Sequence, residues 1–169
     1  MRLVLMGYMA SGKSLIGKLL AKKMHYEFYD LDKEIEINYG DNISAIFKNK
    51  GEIYFRKLET KVLKHLLETK IDCIIAVGGG TPCYGKNIEI INKFATSFYL
   101  KASISTLFNR LKKEKNTRPL VASIKTEDLS EFIGKHLFER QQFYLQAKYK
   151  IETDNKNSIE IIDEITALI

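Results

Sequence analysis

A short segment near the N-terminus constrains the fold most strongly. Residues 7–14 read GYMASGKS and fit the pattern G-x-x-x-x-G-K-[ST]. The apolar run of residues 3–6 precedes this segment, and an amphipathic stretch follows it. A strand, a phosphate-binding loop and a helix are therefore predicted in this order. Chance would produce the four fixed positions in roughly one in a few hundred chains of this length.

Each fixed position of the motif has a physical role. Gly7 and Gly12 allow backbone angles and a close approach that a side chain would block. The backbone N–H groups of the loop and of the following helix form a cradle for an anion. We expect Lys13 to reach the β- and γ-phosphates of a nucleotide and the Ser14 hydroxyl to ligate Mg²⁺.

Apolar runs alternate with amphipathic stretches along the rest of the chain. Strands are predicted at residues 3–6, 26–31, 73–77, 97–100 and 149–151. Helical apolar stripes are expected at Ile16, Leu19, Leu20 and Met24, at Phe55, Leu58, Val62 and Leu66, and at Ile159, Ile162, Ile165 and Ile169. This alternation indicates an α/β fold, a three-layer α/β/α sandwich around a five-stranded parallel sheet.

We expect residues 1–169 to form a single domain, since no linker or repeat divides them. Residues 112–125 are polar, contain Pro119 and show no apolar period, so a mobile lid is predicted there. No apolar run reaches the roughly 18–20 residues that span a bilayer. A membrane protein is therefore not expected.

Charge and cysteine content limit the partners and the compartment. Basic residues outnumber acidic ones by 27 to 21, but Lys and Glu alternate instead of forming a basic face. Anionic small molecules are expected as ligands, and nucleic acid is not. Cys73 and Cys83 lack metal-ligand spacing, which indicates free thiols in a reducing cytoplasm. Residues 2–10 also resemble a short signal peptide, but cleavage there would destroy the loop. A monomer is expected, because no exposed apolar stripe stands out.

Two carboxylates follow the second predicted strand. Asp30 and Asp32 are two residues apart, so an extended backbone would direct both to one face near the phosphates. Such a pair suits coordination of Mg²⁺ through water, together with a base for an attacking hydroxyl. The alternative is acidic capping of the helix that follows.

Further polar and glycine motifs follow along the chain. Arg56 and Glu59 share one helix face, as either site residues or a surface ion pair. Three glycines, residues 78–80, end the third strand and indicate close approach of a ligand to the backbone. Arg118 lies in the predicted lid, and Arg140 lies on a long helix after it. Arginine is rare here, five residues among the 27 cations, and is expected where a bidentate fork is needed.

Taken in order, these motifs resemble the shikimate kinase family over nearly the whole chain. The motifs are the phosphate loop, D-x-D, F-R-x-x-E, G-G-G, R-P-L and E-R-x-x-x-Y. The resemblance implies a P-loop kinase fold with sheet order 2-3-1-4-5. It also implies transfer of the γ-phosphoryl group of ATP to the 3-hydroxyl of shikimate, in aromatic amino-acid biosynthesis.

The resemblance also implies roles for particular residues. Asp32 would hold the substrate hydroxyls and act as base, and Asp30 would bind Mg²⁺ through water beside Ser14. Arg56 and Arg140 would bind the shikimate carboxylate, with Glu59 orienting Arg56. Gly78, Gly79 and Gly80 would meet the ring hydroxyls through their backbone. The ATP-binding residues would be Ala10, Ser11, Gly12, Lys13, Ser14, Leu15, Arg110, Arg118 and Lys156, with Lys13 and Arg118 acting in catalysis.

Three residues depart from the family pattern: Ala10 replaces a usual Gly, Leu15 a hydroxyl residue and Ser158 a usual Pro. None of them removes a metal ligand or a base. The alternatives are another small-metabolite kinase, of the gluconate or nucleotide type, and a non-catalytic ATP-binding module. Retention of Lys13, Ser14 and both carboxylates argues against the module.

Overall fold

The structure is a computed structural model that describes residues 1–114 and 119–169. Five parallel strands form one sheet: β1 (Arg2–Met6), β2 (Glu27–Asp30), β3 (Cys73–Ala76), β4 (Thr96–Lys101) and β5 (Tyr149–Glu152). Their order is β2-β3-β1-β4-β5. Both the five-stranded parallel sheet and its predicted order are confirmed.

Helices connect the strands on both sides of the sheet. They are α1 (Lys13–Met24), α2 (Leu31–Tyr39), α3 (Ile43–Thr69), α4 (Asn87–Phe94), α5 (Ile104–Glu114), α6 (Pro119–Ala122), α7 (Leu129–Tyr144) and α8 (Ser158–Thr166), with a 3₁₀ helix at Thr81–Cys83. Within residues 1–114 and 119–169, no helix has both the length and the hydropathy needed to cross a membrane.

Two apolar cores lie on opposite faces of the sheet. Successive residues of β1 alternate between them, because side chains of a strand point to opposite faces. Leu3 and Leu5 pack in the core that includes buried residues of α1 and α8. Val4 and Met6 pack in the larger core with residues of α2, α3, α5 and α7. The three-layer arrangement follows from this alternation.

The pairing of β1 with β3 brings two chain segments to the same edge of the sheet. Leu5 lies opposite Ala76, and the Val77 N–H donates to the Leu5 carbonyl oxygen at 3.1 Å. The phosphate-loop motif begins one residue after β1 ends, and the three glycines begin two residues after β3 ends. The two segments are therefore neighbours at the carboxyl ends of the strands, where ligands bind in open α/β sheets.

Some predicted apolar positions are exposed. Leu19, Ile159 and Ile169 are exposed, whereas Gly17, Ala21 and Ile161 are buried on the same helices. The prediction of these three as core residues is wrong. Small residues that let α1 approach the sheet closely were not detected from hydrophobic spacing.

The predicted lid is only partly described. Residues 112–114 end α5, and residues 119–122 form α6. Although the segment shows no apolar period, Val121 within it is fully buried in the larger core. Arg118 lies outside the described residues, and the mobility of the lid stays a prediction.

Close packing of α1 against the sheet can be tested at Gly17. A Cβ at this position would lie 2.4 Å from Phe28 Cε2, whereas a Cβ at the helical Gly134 meets nothing nearer than 3.6 Å. Overpacking costs about 1–3 kcal/mol, and replacing a helical Gly by Ala gains about 1 kcal/mol. Gly17→Ala is therefore expected to lower the free energy of unfolding, and Gly134→Ala to raise it, in urea titrations. Equal effects of the two changes would contradict this packing.

Candidate active site

The phosphate-loop motif connects β1 to α1 through an unusual backbone. Gly7 has φ 145°, and a Cβ there would lie 2.6 Å from the carbonyl oxygen of Leu100, so only glycine fits. Ala10 has φ 61°, in the left-handed region that glycine adopts more easily. In the described chain, no side chain caps the first turn of α1 after Gly12. Its backbone N–H groups can therefore donate to an anion.

Lys13 folds back over the start of the loop. Its Nζ donates to the carbonyl oxygens of Gly7 and Tyr8, each at 2.9 Å. Lys13 also lines the cavity at this edge of the sheet. The positive charge is thus held beside the loop that its motif assigns to phosphate.

Ser14, in the first turn of α1, contacts Asp30, the last residue of β2. The Ser14 hydroxyl donates to Asp30 Oδ2 at 2.8 Å. Hydroxyl and carboxylate oxygens are hard ligands of the kind that Mg²⁺ prefers. The structure therefore brings together the two residues predicted to hold the metal ion.

The predicted extended geometry of the two carboxylates is wrong. β2 ends at Asp30 and α2 begins at Leu31, so Asp32 lies in the first turn of a helix. Leu31 is fully buried, and a negative charge in a first helical turn is favoured by the helix dipole. Both carboxylates nevertheless line the same cavity. Asp30 makes no side-chain capping bond to α2, which argues against the capping alternative.

Asp32 is a half-buried carboxyl group among other acids. Burial, the Asp30 carboxylate and the Glu59 carboxylate raise the pKa of Asp32 to about 6, although Lys13 opposes this shift. A group with this pKa is ionised at neutral pH and is still a moderately strong proton acceptor.

The three glycines, residues 78–80, form a tight turn, called here the triple-glycine turn. The Gly78 carbonyl oxygen accepts the Thr81 N–H at 3.1 Å and closes the turn. Three side chains approach the turn so closely that a Cβ added at any of the glycines would contact one of them. A Cβ at Gly78 would lie 3.2 Å from Asp32 Oδ1, a Cβ at Gly79 would lie 3.4 Å from Arg140 Nη1, and a Cβ at Gly80 would lie 2.7 Å from Arg56 Nη2. The turn therefore brings together three of the predicted substrate-binding side chains.

The Arg56–Glu59 pair is buried. Arg56 Nη1 donates to Glu59 Oε2 at 2.9 Å, and Glu59 is 1% exposed. The alternative of a surface ion pair is therefore wrong. Arg56 also makes longer contacts, at 3.4 Å, to the exposed Glu52 carboxylate. Glu59 thus provides the closer and better shielded of the two carboxylates.

One cavity of about 950 Å³ joins the phosphate loop to the triple-glycine turn. Its lining includes the predicted residues Ala10, Ser11, Gly12, Lys13, Ser14, Leu15, Asp30, Asp32, Gly78, Gly79, Arg110, Arg140 and Lys156. Among the described residues, three predicted site residues do not line the cavity: Arg56, Glu59 and Gly80. Their contacts with the turn, given above, connect them to the cavity.

The residues predicted to flank the adenine, Arg110 and Lys156, also line the cavity. Arg110 Nη1 donates to the Ala10 carbonyl oxygen at 3.0 Å, which ties α5 to the phosphate loop. Lys156 Nζ pairs with Glu164 Oε2 at 2.5 Å. Ser158 is the first residue of α8, a position that tolerates proline as well as serine. Its departure from the family pattern therefore leaves the helix start intact.

Comparison with known proteins identifies the kind of kinase. A family model described as shikimate kinase matches residues 9–169. The chain is 44% identical over 169 residues to the shikimate kinase of Flavobacterium psychrophilum, covering 99% of this chain and 98% of that protein. The chain belongs to the shikimate kinase family.

Solved structures of shikimate kinases share the fold. The enzyme from Bacteroides thetaiotaomicron has a TM-score of 0.92 at 32% identity, covering 99% of this chain and 97% of that one. The enzyme from Acinetobacter baumannii, solved in complex with shikimate, has a TM-score of 0.87 at 32% identity. The match covers 99% of this chain and 91% of that one. The predicted fold and the predicted family are both confirmed.

Several cavity residues were missed from the sequence. Ile43, Ser44 and Phe47 line the cavity from the first half of α3. Gly51, with φ 81°, interrupts α3 between this half and the half that holds Arg56. The isolated Gly51 was a usable signal for this break, but hydrophobic spacing gave no sign that the first half faces a ligand.

The raised pKa of Asp32 predicts a pH-dependent cost in stability. Its native pKa exceeds the unfolded value, so its stabilising contribution is complete below about pH 4 and is lost as pH rises through about 6. Above that pH the shift from 3.8 to about 6 lowers the free energy of unfolding by about 3 kcal/mol. Asp32→Asn is therefore expected to be more stable than the parent at about pH 8, by about 2–3 kcal/mol, and equal to it at about pH 4.

Urea denaturation at the two pH values measures this difference. Asp128→Asn, which changes an exposed carboxylate at the start of α7, is the matched control. It is expected to change stability by no more than about 0.5 kcal/mol at either pH. A gain for Asp32→Asn that does not depend on pH would contradict the burial of a charged carboxylate.

Proposed function

We propose that the cavity carries out the shikimate kinase reaction, transfer of the ATP γ-phosphoryl group to the 3-hydroxyl of shikimate. One observation carries the proposal: Asp32, Arg56 and Arg140 converge on the triple-glycine turn, next to the phosphate loop. Phosphoryl transfer depends on positioning and on charge neutralisation, and this arrangement offers both.

ATP is proposed to bind along the phosphate loop as co-substrate. Residues 10–15 line the cavity, and the N–H groups in the first turn of α1 suit the phosphate chain. Arg110 and Lys156 are proposed to flank the adenine, since both line the cavity next to the loop. Arg118, outside the described residues, is proposed to contact the phosphates and to act with Lys13 in catalysis.

Mg²⁺ is proposed to bind at Ser14 and Asp30. Their oxygen atoms lie 2.8 Å apart, and both side chains line the cavity. Ser14 is proposed as a direct ligand and Asp30 as a ligand through water. The bound ion supplies neutralisation of the negative charge on the β- and γ-phosphates.

The acceptor is proposed to bind at the triple-glycine turn. A carboxylate calls for the planar fork of arginine, and Arg56 and Arg140 supply two forks on either side of the turn. Glu59 is proposed to orient Arg56. The backbone of residues 78–80 is proposed to contact the ring hydroxyls, since glycine has no side chain of its own that would block their approach.

Asp32 is proposed to accept the hydroxyl proton. With a pKa of about 6, the carboxylate is ionised at neutral pH. This pKa is also close enough to neutral pH for the group to serve as a general base. Its Oδ1 stands at the Gly78 end of the turn, on the lining that also includes Lys13. This position suits a hydroxyl that attacks toward the phosphates.

The wider assignments are also proposals. We infer a single-domain monomer that acts in the cytoplasm on small molecules and not on nucleic acid or membranes. The mixed surface charges and the free cysteines Cys73 and Cys83 support this proposal. Sedimentation of the purified protein measures the oligomeric state.

The acceptor is tested by ADP release from ATP and Mg²⁺. Shikimate, gluconate and a set of nucleoside monophosphates are compared as acceptors at equal concentration. We expect ADP release with shikimate alone. The nucleoside monophosphates lack the carboxylate that both arginine forks are proposed to bind, and gluconate has a carboxylate but no ring to lie against the triple-glycine turn. Release with a nucleoside monophosphate would contradict the carboxylate site, and release with gluconate would contradict the choice of shikimate as acceptor. If no acceptor gives release, a non-catalytic ATP-binding module is the better interpretation.

Replacement of the arginine forks should weaken acceptor binding selectively. Arg140→Lys and Arg56→Lys are each expected to raise KM for shikimate about tenfold or more, because a point charge cannot replace a bidentate contact. KM for ATP is expected to change less than about twofold. Arg2→Lys, at a residue whose Nε donates to the Lys70 carbonyl oxygen away from the cavity, is the matched control. An unchanged KM for shikimate in both site variants would refute the carboxylate site.

A further inference from the structure

A chain of buried hydrogen bonds lies beneath Arg56. Thr81 Oγ1 donates to Glu59 Oε1 at 2.6 Å, and the Asn87 amide donates to the Thr81 carbonyl oxygen at 2.9 Å. Thr60 Oγ1 donates in turn to Asn87 Oδ1 at 3.0 Å. Glu59, Thr81 and Asn87 are all buried, and Thr60 is half-buried. None of the three residues beyond Glu59 belongs to the motifs that identify the family.

Thr81 is held at each of its polar groups. Its N–H closes the triple-glycine turn on the Gly78 carbonyl oxygen at 3.1 Å. Its hydroxyl binds Glu59, and its carbonyl oxygen accepts from Asn87. One residue therefore fixes both the turn and the carboxylate that holds Arg56.

The orientation of Glu59 depends on this hydroxyl. A carboxylate has two oxygens, and each needs a partner when the group is buried. Oε2 is bound by Arg56 Nη1, and Oε1 by Thr81. With both oxygens occupied, the carboxylate plane cannot rotate freely, and the guanidinium is fixed against the turn.

We propose that Thr81, supported by Asn87 and Thr60, is a positioning residue for Arg56. It aligns the guanidinium with the triple-glycine turn through Glu59, so that the acceptor carboxylate meets a preformed fork. This inference rests on the proposed role of Arg56 in binding shikimate. Preorganised groups lose less conformational entropy on binding, so loss of alignment weakens ground-state binding of the acceptor.

The test compares Thr81→Val with Thr81→Ser. Valine keeps the shape but removes the hydroxyl, and serine keeps the hydroxyl. Thr81→Val is expected to raise KM for shikimate about tenfold, which corresponds to loss of one hydrogen bond to a charged group, with little change in kcat or in KM for ATP. Thr81→Ser is expected to stay within about threefold of the parent.

A matched control separates alignment from general loss of stability. Thr153 is also buried, and its Oγ1 donates to the Lys101 carbonyl oxygen at 2.9 Å, after β5 and three strands away from β3. Thr153→Val is expected to lower stability and leave KM for shikimate unchanged. A rise in KM for shikimate as large as that of Thr81→Val would overturn the proposal.

A double-mutant cycle distinguishes this inference from the proposed function. Because Thr81 acts through Arg56, Thr81→Val is expected to add less than about twofold to KM in the Arg56→Lys background. If Arg56→Lys leaves KM for shikimate unchanged, the proposed role of Arg56 fails. If Arg56→Lys raises KM and Thr81→Val does not, only the positioning role of Thr81 fails.

If Thr81→Val does not fold, Thr60→Val is used to test the positioning role instead. It removes the outermost hydrogen bond of the chain and leaves Glu59 and the turn in place. We expect a rise of about threefold in KM for shikimate, with circular dichroism like that of the parent. A folded Thr60→Val variant with unchanged KM would overturn the proposal in that case.

Discussion

Parallel pairing of β1 with β3 is the constraint on which the site depends. Because parallel strands end at the same edge, the phosphate loop after β1 and the triple-glycine turn after β3 are neighbours. A Cβ at Gly79 would lie 3.5 Å from the Gly7 carbonyl oxygen and 3.5 Å from the Met9 nitrogen. The proposed ATP site and the proposed site of the phosphoryl acceptor are therefore in contact through the backbone. Asp30 ends β2, whereas Lys13, Asp32, Arg56 and Arg140 are held by the surrounding helices.

Burial of Asp32 near two other carboxylates explains why this site lowers the stability of the fold. Asp30, Asp32 and Glu59 lie close enough for the other two to raise the pKa of Asp32, while Lys13 opposes them. Glu59 offsets its burial with two hydrogen bonds, one from Arg56 and one from Thr81. Asp32 has a different balance, and its raised pKa suits the proposed proton acceptor. The two carboxylates therefore differ in their surroundings, in line with a proposed orienting role for Glu59 and a proposed proton-accepting role for Asp32.

Much of the fold and site was predictable because periodicity and motifs are local. Periodicity predicts the strands, whereas the family resemblance implied the sheet order and the joint role of Arg56 and Arg140, which the structure brings to the triple-glycine turn. The prediction of an extended Asp30–Asp32 segment is wrong because the strand ends at Asp30 and a helix begins at Leu31, a boundary that residue spacing does not reveal. The hydrogen bonds from Thr81 to Glu59 and from Thr60 to Asn87 were missed because they join residues 22 and 27 positions apart in sequence. Ala10 was noted as a departure, but only the structure shows its positive φ.

Backbone amide NMR tests most directly whether the acceptor lies at the triple-glycine turn. Shikimate is titrated into the ¹⁵N-labelled protein in the absence of nucleotide. We expect the largest shifts at the amides of residues 78–80 and at the Nε–H signals of Arg56 and Arg140. A non-hydrolysable ATP analogue is expected to shift residues 10–15 instead. Shikimate-dependent shifts elsewhere, with residues 78–80 unchanged, would contradict the proposed acceptor site.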